Sequence, residues 1–300
     1  MHPPRHSPVT AFLVGVLGIA LFSGMDAVMK GLVLAIGTLT TMFWRNLSGI
    51  AISGALYLPK RNGWPSRSTM RIHLARGVLS TFMGFLFFWG IGRVPLAHAV
   101  ALAFIAPLIA LYLAAVMLHE KVGAKTVGAS FVAFAGVVTI VFGQSQADLG
   151  KDALIGSAAI LCSATLYALN IIIMRAQALV ADPLEITFFQ SVIVTTVLAL
   201  ALPFVGVTFP PLEQWPWILF ASVLAIVSML LLSWAYARAQ ASYLASTEYT
   251  SFLWAALFGW LVFGEPLSPF TVAGAAMIVT GCVLAARRPQ DASPALEAAT

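Results

Sequence analysis

One stretch of this chain is written twice, in one register and without a gap. RVPLAHAVALAFIAPLIALYLAAVMLHE begins at Arg93, and RAQASYLASTEYTSFLWAALFGWLVFGE begins at Arg238. The offset is 238−93 = 145, and it recurs for Glu120 and Glu265, for Thr126 and Thr271, and for Gly136 and Gly281. Carried backwards, it pairs Trp89 with Trp234, Phe43 with Phe188 and Lys30 with Arg175. Apolar matches carry little weight, because apolar stretches coincide by chance. The recurrence of Trp, Arg and Glu in one register carries the argument, and it makes the chain two like halves.

Composition then sets the solvent. With 60% hydrophobic and 9% charged residues among 300, the chain lies far outside the soluble range. Runs of roughly 20 apolar residues, enough for about 30 Å of hydrocarbon, fall near 10–35, 38–58, 73–92, 96–118, 125–143, 153–174, 184–204, 215–237, 242–263 and 269–286. The expectation is an all-α membrane protein of ten transmembrane helices, five per half. A leader at 1–9 precedes the first repeat at 10–143. An external linker at 144–152 leads to the second repeat at 153–288, and 289–300 reads as a disordered cytoplasmic tail. The start reads as a leader and not as a secretion signal, because the apolar stretch after Arg5 is too long and lacks a cleavage pattern.

The net charge of +5 does not point to nucleic acid. On a ten-span layout, Arg5, Lys60, Arg61, Arg67, Arg71, Arg76, Lys121, Lys125, Arg175, Arg238, Arg287 and Arg288 all fall on one face. Only Lys30, Arg45, Arg93 and Lys151 do not. The positive-inside rule then puts both termini in the cytoplasm of a cell whose inner membrane holds the protein. Five spans per half is an odd number, so the second copy enters from the opposite side. Inverted repeats of this kind let two half-structures exchange conformations around a central cavity, which is how a carrier alternates access.

The polar residues inside the spans are the candidates for substrate binding. Asp26 lies about 15 Å deep in the first span, and Lys30 is one turn shallower. Lys30 is placed to snorkel or to pair with Asp26. Trp44 and Arg45 lie about two turns inside the second span. There Arg45 is placed to staple two helices through Asp26, to bind a substrate carboxylate, or to snorkel. His98 and the kinking Pro107 lie in the fourth span, and the second copy has Phe252 in place of the proline, so only the first half is expected to kink. His98 reads as a core histidine or a cavity-facing proton acceptor, with His73 and His119 at span ends. Tyr167 in span six and Glu248 and Tyr249 in span nine complete the set. Asp26, Arg45 and Glu248 face Ile171, Gln190 and Ala103 across the repeat, so the polar chemistry is asymmetric and one shared site is expected. Spans five and ten, with small residues on one face, read as packing.

No G-x-S-x-G and no H-E-x-x-H is present, and Cys162 and Cys282 each stand alone, so neither an enzyme nor a metal or cofactor site is expected. Two apolar spans closing on glutamate, Phe104-x-x-Pro107 to Glu120 and Phe252 to Glu265, are each followed by a glycine-bearing span. They resemble the EamA domain repeat of the drug/metabolite transporter superfamily. The second copy departs from the pattern by lacking the proline. The resemblance implies a ten-helix inverted-repeat fold and export of small metabolites. Within the superfamily the chain looks most like bacterial amino-acid exporters, the aromatic type especially. Multidrug or other metabolite export is the alternative within that class, and a non-transporting scaffold or receptor is the alternative outside it. The partners implied are a small molecule and the bilayer, and internal duplication makes a monomer sufficient.

Overall fold

The computed structural model describes residues 8–61, 63–117, 124–146, 150–205, 208–236 and 247–286, and among these residues it is helical without a strand. In order the helices are α1 (Pro8–Ile36), α2 (Thr38–Tyr57), α3 (Arg67–Ile91), α4 (Leu96–Ala103), α5 (Ala106–Met117) and α6 (Ala124–Gln146). They continue as α7 (Gly150–Ala178), α8 (Pro183–Val205), α9 (Trp215–Tyr236), α10 (Thr250–Phe263) and α11 (Pro269–Ala286). The tail at 289–300, most of the leader and the middle of the 144–152 linker lie outside the described residues.

Local chemistry places the ends. Gly37, at φ 80°, turns α1 into α2 within one residue, a conformation that glycine adopts without a Cβ penalty. Ser66 starts α3, its Oγ accepting from the Thr69 amide at 3.2 Å. Asp182 starts α8 by accepting from the Leu184 and Glu185 amides, with Pro183 at the first helical position. The segments Val9–Ile36, Arg67–Ile91, Lys151–Met174, Pro183–Ala201 and Leu212–Ala235 are long and apolar enough to cross a membrane by length and composition. The remaining apolar helices are shorter, and α2 carries Thr40, Thr41, Arg45, Asn46, Ser48 and Ser53. Asn46 and Ser53 return their hydrogen bonds to the carbonyls of Met42 and Gly49, one turn earlier.

Helix packing obeys the repeat. The most extensive interfaces are α6 with α11, α1 with α9, α3 with α7 and α2 with α8. Adding 145 turns α3 into α9, and subtracting it turns α7 into α1, so the second and third of these are one interface seen twice. The first and last pair a helix with its own copy. Small residues set the approach in both members of the duplicated pair: Gly90 meets Gly156 between α3 and α7, and their equivalents Ala235 and Ala11 are buried on α9 and α1. Between α6 and α11 a Cβ on Gly136 would lie 2.6 Å from the Gly274 carbonyl oxygen, and one on Gly281 would lie 2.6 Å from that of Ala129. Those two contacts are again related by the offset. Backbones this close exclude any side chain.

Candidate functional site

The middle of the molecule is marked by two interrupted helices. Between α4 and α5 the chain turns at Phe104 and Ile105. The Ile105 amide reaches back only to Leu102 and the Leu108 amide only to Ile105, while Pro107 has no N–H to give to Ala103. In the second half Thr247 and Glu248 are helical, Tyr249 is a turn, and α10 begins at Thr250. Both halves are thus broken, contrary to the expectation of a single kink. No proline is needed in the second copy, because the hydroxyls of Thr250 and Ser251 donate to the Thr247 and Glu248 carbonyls at 2.6 Å. Phe104 and Tyr249 are equivalent by the offset, since 249−104 = 145. Their rings touch edge to face at 5.6 Å, so they meet where the two halves meet.

Asp26 lies on α1, which packs against α10. Its neighbour Ala27 packs in one apolar cluster with Leu96, Val100 and Ala255, against which Phe104 and Phe252 rest. The carboxylate is buried and its Oδ1 has no hydrogen-bond partner. Arg45 acts on it electrostatically without forming an ion pair among the described residues. The stapling ion pair open at the level of sequence is therefore not formed. Lys30 neither pairs with Asp26 nor snorkels: its ammonium binds Glu265 and donates to the Val94 carbonyl at 2.7 Å. Glu265 in turn accepts from the Leu96 amide at 2.7 Å, capping α4. One part-buried pair so ties α1, the end of α10 and the start of the broken span.

The other sequence candidates divide. Trp44 is occupied, its Nε1 donating to Thr208 O at 3.1 Å and its ring packed against Phe43, Phe209 and Trp215. His98 is buried on α4, with Nε2 at 3.4 Å from Ser157 Oγ on α7. Tyr167 on α7 is influenced electrostatically by both Glu248 and Arg76, so two candidates of the second half lie near a cation of the first. Pro107 is the second residue of α5, and its side chain lies outside the described set. A cleft of about 610 Å³ opens among Val33, Gly37, Thr40, Phe85, Trp89 and Arg93, and none of the candidates lines it.

Sequence reading missed a second polar group. α3 begins at Arg67, earlier than the apolar run suggested, so His73 lies well inside it and not at a span end. Arg76, counted with the surface cations, is equally buried. His73 Nε2 lies 3.0 Å from Glu185 Oε1, and Tyr57 donates to Glu185 Oε2 at 3.2 Å. Gln177 Nε2 meets His73 Nδ1 at 2.5 Å, and Arg76 Nη1 donates to Gln177 Oε1. Arg76 Nε and Ser80 Oγ both donate to Asn170 Oδ1 at 3.2 Å. One signal was available in the sequence: adding or subtracting 145 from His73, Arg76, Asn170 and Gln177 gives Ile218, Ala221, Met25 and Leu32.

Comparison with known proteins agrees with the duplication. The model of a family described as the EamA-like transporter family matches residues 9–142 and again 154–287. The chain is 27% identical over 278 residues to the pseudopaline exporter CntI of Pseudomonas aeruginosa (strain UCBPP-PA14), covering 92% of this chain and 95% of that one. It is 29% identical over 293 residues to the riboflavin transporter of Rhizobium johnstonii, covering 95% and 93%. A crystal structure at 20% identity superposes with a TM-score of 0.63 over 94% of this chain and 100% of its own, which shows a shared fold.

Proposed function

The chain belongs to the EamA-like transporter family, and from that premise we propose that it exports amino acids, aromatic ones included, across the inner membrane by alternating access. The ten-span layout and a cytoplasmic location of both termini are part of the proposal. The observation that carries it is the junction of two broken helices at Phe104 and Tyr249, with Asp26 buried on α1, which packs against α10, and one of its carboxylate oxygens unpartnered. Interrupted helices facing each other at the repeat boundary are where inverted-repeat carriers hold their substrates. Asp26 supplies a charge for an ammonium group, and Phe104, Phe252 and Tyr249 supply apolar and aromatic walls. On this reading Arg45 receives the carboxylate of a zwitterion, Glu248 stands with Asp26 on the ammonium side, Tyr167 adds a polar contact, and His98 and Trp44 hold the scaffold.

A second reading has support of its own: the two named relatives handle pseudopaline and riboflavin, so another small metabolite is the competing cargo. The deciding experiment is uptake and counterflow of labelled phenylalanine, threonine, lysine, riboflavin and tetraphenylphosphonium in liposomes carrying the purified protein. The expected result is phenylalanine flux above protein-free vesicles, abolished by Asp26→Asn. Riboflavin flux without amino-acid flux would replace the cargo, and flux of the cation alone would make the protein a multidrug exporter.

A further inference from the structure

The interface of α3 with α7 has an internal control. Its copy, α9 with α1, packs the same way with Ile218, Ala221, Met25 and Leu32, all buried. The fold therefore does not require polar residues there. In place of these four side chains the α3–α7 interface buries His73, Arg76, Asn170 and Gln177, joined in one chain to Glu185. Buried ionic groups of this kind rarely repay their desolvation against apolar replacements, so their presence calls for a use.

Donor and acceptor accounting supplies it. Arginine only donates, so Gln177 must turn its oxygen to Arg76 and its amide nitrogen to His73. His73 Nδ1 must then accept, which leaves the hydrogen on Nε2, donated to the Glu185 carboxylate. Every link points one way, from the Arg76 cation to the Glu185 anion. A proton that enters past Glu185 and reaches His73 Nδ1 as Gln177 moves aside makes the imidazolium a donor at both nitrogens. Gln177 can meet it only by reversing its amide, and its nitrogen then faces Arg76, donor against donor. Protonation thus frees Arg76 Nη1 while its Nε stays on Asn170, and so alters the electrostatics at Tyr167, which Glu248 also influences.

Entry is one-sided. The end of α2, the start of α3, the end of α7 and the start of α8 converge at this group, and Glu185 is its exposed member, with 15% of its side chain accessible against none for His73. The charged and titratable groups around it are Tyr57 from α2, Arg76 from α3 and Glu185 from α8, with Asp182 and Arg61 acting on Tyr57. From α7 comes the neutral Gln177, and the Arg175 side chain lies outside the described set. We propose that His73 and Glu185 form a proton-binding site that couples transport to the proton gradient, with Gln177 passing its occupancy to Arg76. This rests on the transport reading above.

The test has an arm that needs no substrate. In full-length protein labelled with ¹⁵N-histidine and ¹⁵N-arginine, the His73 signals are assigned by their loss in His73→Gln and the Arg76 signal by its loss in Arg76→Lys. His73 should pass from neutral to imidazolium between about pH 5 and 9, and the Arg76 signal should shift with the same midpoint. In Gln177→Leu, His73 should still titrate while Arg76 no longer follows. A His73 that keeps one state across this range, or an Arg76 signal that ignores it, overturns the proposal. In liposomes a one-unit pH gradient should accumulate phenylalanine up to about tenfold at one proton per molecule. His73→Gln and Glu185→Gln should keep counterflow and lose that accumulation, and accumulation that survives in both variants overturns coupling. If no compound in the panel moves, the cargo reading falls and the labelled-protein arm still decides the proton site.

Discussion

At the scale of single residues, the ion pair of Lys30 with Glu265 and the isolated Asp26 behave oppositely. Losing one partner of a buried pair leaves the other charge uncompensated and costs about 3–5 kcal/mol. Lys30→Met or Glu265→Gln alone should therefore destabilise the protein by about that much, and the double variant by markedly less. Denaturant unfolding in micelles measures all three. Asp26 has no such ion pair, one of its oxygens has no hydrogen-bond partner, and an unsatisfied buried oxygen is itself a cost. Asp26→Asn should unfold no more readily than wild type, by about 1 kcal/mol in its favour, yet transport nothing. Retained transport would remove Asp26 from the site. The depth of Asp26 in the first span was legible in the sequence; that it forms no ion pair with Lys30 or Arg45 was not. The bond from Lys30 to Glu265 was not, because 235 positions separate them and no local pattern links a lysine to a residue in the other half.

At the scale of elements, close approach decides which glycines are tolerant. Gly136 on α6 faces the Gly274 carbonyl, whereas Gly128 on the same helix has nothing within 4 Å of where a Cβ would stand. Gly136→Val should cost about 3 kcal/mol or more through overpacking. Gly128→Ala should gain about 0.5–1 kcal/mol from helix propensity. Thermal unfolding of the two variants side by side checks the contrast. The small-residue stripe was readable in sequence; that its partner is the helix's own copy was not. The second helix break was hidden, because proline is the obvious sign of a break. Here Thr250 and Ser251 satisfy the freed carbonyls with their own hydroxyls.

At the scale of the whole molecule, the layout makes a sidedness prediction. In a variant lacking Cys162 and Cys282, a cysteine at Lys60 should react with an impermeant maleimide only from the cytoplasmic side, and one at Lys151 only from outside. Labelling of both from one side would refute the inverted arrangement. The halves themselves were legible because rare residue types recur at a fixed offset. The asymmetry that gives the molecule chemistry was not read as a site, since a surface cation and a buried one look alike in a list of arginines. Arg76 shows the difference only when its copy, Ala221, is set beside it.

The pairing of helices bears on how the protein is made. The interfaces that dominate the structure, α6 with α11, α1 with α9, α3 with α7 and α2 with α8, all join one half to the other. A half is a unit of ancestry but not of assembly. While the first half leaves the ribosome, α6 waits for a partner that is translated last, and the Gly136 seam lies open to lipid until then. Two separately expressed fragments, cut within 147–149, should each be degraded alone and persist when made together. An internal duplication that lets a single gene build both sides of a membrane carrier thereby commits the cell to finishing the whole chain before any part of it is safe.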